Sequence, residues 1–143
     1  MNLSEHFTLE EFITSETASR KLINNYPDAQ SLENLKRVAE KMEQVRALLG
    51  KPIHITSGYR CSALNKLIGS KPTSKHVQGL ACDFKCPEFG TPKMIVEAIQ
   101  CSNIDFDQLI FEFGSWVHFG LGAANRKQVL TVNEFGTFTG VRV

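Results

Sequence analysis

The segment 31–49 constrains the fold most. Leu32, Leu35, Val38, Ala39, Met42, Val45 and Leu49 recur at spacings of three and four, and Gly50 stands where a helix would close. That period puts all seven on one stripe of a long helix, and the stripe is core. After Gly50 the period shortens. Pro52-Ile53-His54-Ile55-Thr56 alternates as a strand, and Leu80-Ala81-Cys82-Asp83-Phe84 is an apolar run interrupted by one acid. Two strands are predicted over 106–113 and 117–121 around Gly114-Ser115, and a last hairpin over 128–132 and 138–143 across Asn133-Glu134-Phe135-Gly136. Helices first and strands later predict an α+β fold, a mainly antiparallel sheet with helices packed on one side.

Shorter signals fill in the rest. Thr8-Leu9-Glu10-Glu11 has the form of a capping box, which starts a short helix that Phe7 and Phe12 pin to the body. A second short helix is expected over 62–68, closed by Gly69, followed by an exposed loop over 70–74. Thr91-Pro92 is an N-cap followed by proline at the first helical position, opening a helix to about Gln100. The 143 residues suit one domain, with no repeat or linker. With 42% hydrophobic and 22% charged residues the chain is neither disordered nor fibrous. Sixteen basic against fifteen acidic residues, a net charge of +1, give no footprint for nucleic acid or a lipid surface. No apolar stretch is long enough to span a bilayer. Met1-Asn2-Leu3-Ser4-Glu5-His6 is acidic and polar where a secretory signal would be basic and then apolar, so synthesis in the cytosol is expected. In that compartment Cys61, Cys82, Cys86 and Cys101 are expected as free thiols, and no second Cys/His pair joins Cys82 and Cys86 in a structural zinc site.

Three residues stand out as potential metal ligands: His76 after the exposed loop, Asp83 in the apolar strand and His118 in Trp116-Val117-His118-Phe119. Asp83 is the most telling, because a carboxylate between Cys82 and Phe84 is costly to bury without a cation or several donors. Two imidazoles and one carboxylate make a catalytic type of zinc set with a fourth position for water. On the same residues, Asp83 as a loop cap beside two semi-buried histidines is the alternative. His54 points away from Ile53 and Ile55, and His6 caps a helix or faces solvent.

Ser57-Gly58-Tyr59-Arg60, Asn65, Ser74-Lys75-His76-Val77-Gln78-Gly79-Leu80-Ala81-Cys82-Asp83 and Trp116-Val117-His118 together resemble the zinc D-Ala-D-Ala metallopeptidases, which include carboxypeptidases and phage endopeptidases. These share their fold with the hedgehog signalling domain. The family pattern, S-G-[YF]-R, then S-x-H-x-x-G-x-A-x-D, then W-x-H, is present in order. The likeness runs over about 3–130, with 131–143 a C-terminal hairpin extension of the single domain 1–143. Asn125-Arg126-Lys127-Gln128-Val129-Leu130 is similar to the tail of the short, phage-like branch.

The resemblance implies a hydrolase of peptidoglycan stem peptides, with Zn2+ on His76, Asp83 and His118. It gives Arg60 the substrate carboxylate or developing oxyanion, Ser74 a hydrogen bond to substrate (or a loop-cap role), and Trp116 a wall of the cleft (or a core position). Many members carry an acid three residues before the second histidine; here that residue is Ser115, which cannot act as a base. Glu112, six before His118, is the favoured general base. A turn over 114–116 would set Glu112 opposite His118 on one face of the sheet, whereas a two-residue turn at Gly114-Ser115 would place it on the other. Asp105 and Asp107 are expected as solvent or cap residues. The partner implied is a wall peptide, met by a monomer after phage-style release or lysis; neither nucleic acid nor membrane is implied. The alternative of another class is a non-catalytic, zinc-stabilised wall-binding module of the same fold.

Overall fold

The computed structural model describes residues 1–142. Its helices are α1 (Leu9–Ile13), α2 (Glu16–Arg20), α3 (Ala29–Leu49), α4 (Ser62–Leu67) and α5 (Pro92–Gln100), with a 3-10 turn at Lys75–Gln78. Its strands are β1 (His54–Ser57), β2 (Ala81–Lys85), β3 (Gln108–Glu112), β4 (Trp116–Gly120), β5 (Gln128–Asn133) and β6 (Gly136–Thr139). None of the described helices is long and apolar enough to cross a membrane.

The helix ends follow the local chemistry. The Thr8 hydroxyl accepts the Glu11 N–H while the Glu11 carboxylate accepts the Thr8 N–H, so both halves of the capping box form. Phe7 and Phe12 meet edge to face with centroids 6.2 Å apart, both buried. α3 begins two residues before the predicted start at residue 31, because the Asp28 carboxylate caps it by accepting the Ser31 N–H at 2.7 Å. It ends at Gly50 in the left-handed region, φ 69°. α5 starts on Thr91, whose hydroxyl accepts the Met94 N–H.

The fold is α+β, and its six strands form one sheet in the order β1-β2-β4-β3-β5-β6. The sheet is mixed rather than wholly antiparallel, since β5 runs parallel to β3. The cause is the connection after β4, which crosses the end of β3 and brings the chain to its far edge at the end where β3 began. Lys127 N–H donates to the Phe106 carbonyl and Gln128 N–H to that of Asp107 there. Asp107 is correspondingly neither a solvent nor a cap residue. It is buried, and its carboxylate takes the Arg126 guanidinium through Nε at 2.7 Å and Nη2 at 3.1 Å. The last hairpin is tighter than expected: Asn133 pairs with Gly136, so β6 begins at Gly136 and occupies the open edge with every residue exposed. The expected end of that strand at Val143 lies outside the described residues.

One face of the sheet carries Cys82, Phe84, Leu109, Val117, Phe119 and Val129 into a core shared with Leu35, Val38 and Met42 of α3 and Ile95, Val96 and Ile99 of α5. Alternation along the strands then sends Asp83, Glu112 and His118 to the opposite face, over the three central strands. The described cysteines are all free thiols; Cys82 and Cys86 are buried, Cys61 is partly buried and Cys101 is exposed.

Candidate metal centre

Asp83 and His118 are direct cross-strand partners on β2 and β4, which brings their side chains together on one face. His118 Nδ1 lies 3.0 Å from Asp83 Oδ1. His76 arrives from elsewhere. The 3-10 turn that carries it starts on Ser74, whose hydroxyl accepts the His76 N–H, and ends on Gly79 at φ 71°. A Cβ on Gly79 would stand 2.6 Å from the Ser31 carbonyl oxygen, so the turn sits directly on the start of α3 as only glycine allows. His76 Nε2 then faces Asp83 Oδ1 at 3.3 Å, and the two imidazoles stand edge to face with centroids 5.1 Å apart.

The protonation of His76 decides what the cluster can hold. Its Nδ1 lies 2.6 Å from the Gly58 carbonyl, which can only accept, so Nδ1 carries the hydrogen. In the neutral ring Nε2 then presents a lone pair to a carboxylate oxygen. Two acceptors at that distance require a cation between them, either a proton or a metal ion. Asp83 supports the same reading: burial alone would raise its pKa, but the hydrogen bonds and charges of His118 and His76 outweigh that and hold it well below the usual carboxylate range. One ligand atom from each of His76, Asp83 and His118 lies within 4.8 Å of the others, all three residues being buried. Nitrogen, nitrogen and carboxylate oxygen is a donor set that suits a borderline divalent cation. The residues fit a metal.

Glu112 lies beside this cluster. The β3–β4 turn takes neither expected form: Phe113, Gly114 and Ser115 make it, so Glu112 pairs with Trp116 and His118 pairs with Ile110. The shift relative to a turn over 114–116 is two residues, which preserves the face. Glu112 is therefore diagonal to His118, with Oε1 3.9 Å from its Nδ1. Burial raises the Glu112 pKa, the Asp83 charge adds to the rise, and His118, the Trp116 indole and Arg60 pull against it. The Trp116 Nε1–H is buried with no hydrogen-bond partner of proper geometry.

The Peptidase M15 family matches residues 5–120, most of the chain. The chain belongs to the peptidase M15 family. No match was found among curated proteins. The matched stretch of this M15 peptidase ends with β4, so it takes in every residue of the cluster. Membership of the family makes the protein a peptidase of the metallopeptidase type.

Around the M15 cluster, Arg60 is held rather than free. Its Nε donates to Asn65 Oδ1 at 3.2 Å and its Nη2 to the Ser74 hydroxyl at 3.2 Å. Burial lowers its pKa, and the carboxylates of Asp83 and Glu112 draw it back up. Ser74 thus caps the 3-10 turn and fixes Arg60 with one oxygen. Two asparagines support this arrangement, Asn65 from among the motif residues and Asn25, which the sequence does not mark. Asn65 is buried and donates to the Lys71 carbonyl while accepting from Arg60. Asn25 is buried in the connection between α2 and α3; it donates to the carbonyls of Ile13 and Tyr59 and accepts the Cys61 N–H, holding the backbone on either side of Arg60. Asn65 lies in α4 and its signal is its place among the motif residues, whereas Asn25, in the loop between α2 and α3, leaves no periodic trace. Gln108 bonds to Gln128 across the parallel pair, a structural contact. His6 is tied to Glu43 of α3 through Nδ1 at 2.6 Å, and His54 is exposed.

Proposed function

We propose that this M15 peptidase is a zinc-dependent hydrolase of peptidoglycan stem peptides. The observation that carries the reading is the convergence of His76 Nε2, Asp83 Oδ1 and His118 Nδ1, with Glu112 next to them. His76, Asp83 and His118 would hold the ion, and what zinc supplies in such a setting is Lewis acidity towards the scissile carbonyl and the attacking water.

The rest of the chemistry falls to the chain. Glu112 accepts a proton from the water at Oε1 and returns it to the leaving amine; its raised pKa suits a group that must both take and give. Arg60, fixed by Asn65 and Ser74, holds a substrate carboxylate or the oxygen on which charge develops. A groove of about 380 Å³ lined by Thr14, Glu16, Ser57, Gly58 and Arg60 gives room for a peptide chain beside Arg60. Trp116, the cross-strand partner of Glu112, walls the cleft, and the Ser74 hydroxyl still has its own hydrogen to give to substrate. The protein works as a monomer on wall material reached by release or lysis, in the manner of the phage-like members it resembles.

Chelator-sensitive digestion of purified peptidoglycan, read by mass spectrometry, tests the reading. Loss of one alanine identifies a carboxypeptidase, and split stems or cross-links identify an endopeptidase. Zinc bound with no product from any wall chemotype would favour a non-catalytic wall-binding module instead. Glu112→Gln is expected to retain zinc and lose turnover by about two to four orders of magnitude, and His76→Ala to lose both zinc and activity. An active Glu112→Gln protein would remove Glu112 from the role of base.

A further inference from the structure

The β3–β4 turn, closed by the Ser115 N–H on the Glu112 carbonyl at 2.9 Å, needs a positive φ at both 113 and 114, but it does not need a phenylalanine at 113, where asparagine or glycine is the easy choice. Phe113 adopts φ 51°, in the left-handed region that a bulky side chain enters only at a cost, while the glycine beside it takes φ 64° without penalty. It is 50% exposed, so the cost brings no core burial. And it is held there firmly: its N–H donates to the Val132 carbonyl at 2.7 Å, and its own carbonyl accepts the Ser115 hydroxyl at 3.1 Å. The turn thus fixes the backbone of Phe113 and leaves its ring half exposed at the end of the hairpin.

What is presented is an aromatic surface beside the metal cluster. The Phe113 ring lies on Trp116 with centroids 5.6 Å apart and planes 35° from parallel. Glu112 immediately precedes Phe113 and pairs with Trp116, so the two rings border the Glu112 carboxylate, which lies 3.9 Å from His118. Exposed aromatic surface attracts uncharged C–H groups, and the buried cluster supplies the charged contacts separately.

We propose that Phe113 is a specificity residue whose exposed ring, carried on Trp116, takes an uncharged C–H face of the substrate next to the metal centre. The inference rests on the stem-peptide reading above. The face in question belongs either to the peptide, as an alanine methyl or the flat of an amide, or to the amino sugar from which the stem hangs.

Trp116 is the only tryptophan in the chain, so its fluorescence reports on this surface directly. Zinc-loaded protein is titrated with a soluble stem peptide, with and without its amino sugar, and steady-state cleavage is measured on both. Phe113→Asn tolerates the left-handed backbone and removes the ring. It is expected to raise KM about five-fold with kcat nearly unchanged, to diminish the fluorescence response, and to leave the thermal midpoint no lower. Phe113→Tyr should restore KM and the response. A larger loss on the sugar-bearing ligand places the face on the sugar, and equal losses place it on the peptide. Unchanged KM and fluorescence in Phe113→Asn, with cleavage intact, would overturn the platform alone, as would a fallen thermal midpoint with unchanged KM. No fluorescence response and no cleavage by the unaltered protein would overturn the stem-peptide reading and the platform with it.

Discussion

Gly58 shows how one residue serves both fold and cluster. Its φ is ordinary, but a Cβ there would stand 2.4 Å from the Phe12 carbonyl oxygen and 2.7 Å from the Phe12 Cα. The glycine is present for space, and the space lets Tyr59 N–H reach the same Phe12 carbonyl at 2.7 Å. Its own carbonyl fixes the His76 tautomer. Gly58→Ala is therefore expected to cost about 1–3 kcal/mol of stability by forcing backbone apart. It should also weaken metal binding about ten-fold or more through the displaced carbonyl. Gly50→Ala makes the control, because φ 69° is strained for alanine but nothing lies within 4 Å of the new methyl. It should cost only about 1 kcal/mol and leave metal affinity alone. Chemical denaturation paired with a metal titration separates the two.

Among the elements, the connection from β4 to β5 is the one whose course depends on an ion pair. Arg126 is largely exposed, but Asp107 is buried, and both guanidinium contacts plus the Arg126 N–H converge on its carboxylate. The Arg126 hydrogen bond holds the Asp107 pKa below the usual carboxylate range against a smaller desolvation effect. A carboxyl depressed in the folded state adds stability above its unfolded pKa and loses it as pH falls through the folded value. Asp107→Asn should thus lower the denaturation midpoint at neutral pH, and the gap to the unaltered protein should narrow steadily below about pH 4. The same region marks where the sequence becomes illegible. The α3 stripe, the capping box at Thr8 and the Thr91-Pro92 start are local signals, and each appears where its residues place it. α2 was not foreseen, because a five-residue helix burying only Ala18 has no period to read. The parallel β3–β5 pairing also left no trace, since an alternating strand looks the same whichever neighbour it joins. For the cluster, the buried acid at Asp83 pointed to a partner but left a loop cap open, and the motif resemblance singled out His76 and His118, whereas the place of Glu112 hung on a turn register that one residue can reverse.

At the scale of the whole molecule, the cluster joins the loop side to the sheet. His76 belongs to the stretch between β1 and β2, and Asp83 and His118 belong to neighbouring strands, so an ion held by all three favours the folded chain over the unfolded one. Zinc at about a thousand times its dissociation constant is expected to add about 4 kcal/mol to stability. A thermal scan with zinc and with chelator should show the higher midpoint with zinc. Asp83→Asn should abolish most of that difference, whereas a zinc-dependent rise that persists in Asp83→Asn would place the ion elsewhere. The position of His76 has a kinetic consequence. Its turn brings the one donor of the three that lies outside the sheet, so in a metal-loaded chain opening of residues 58–79 would have to break the bond from His76 to the ion. A metal-loaded chain would then yield to proteolysis at the rate at which it releases its ion, and lifetime in a lysate would become a property of the cluster rather than of the core.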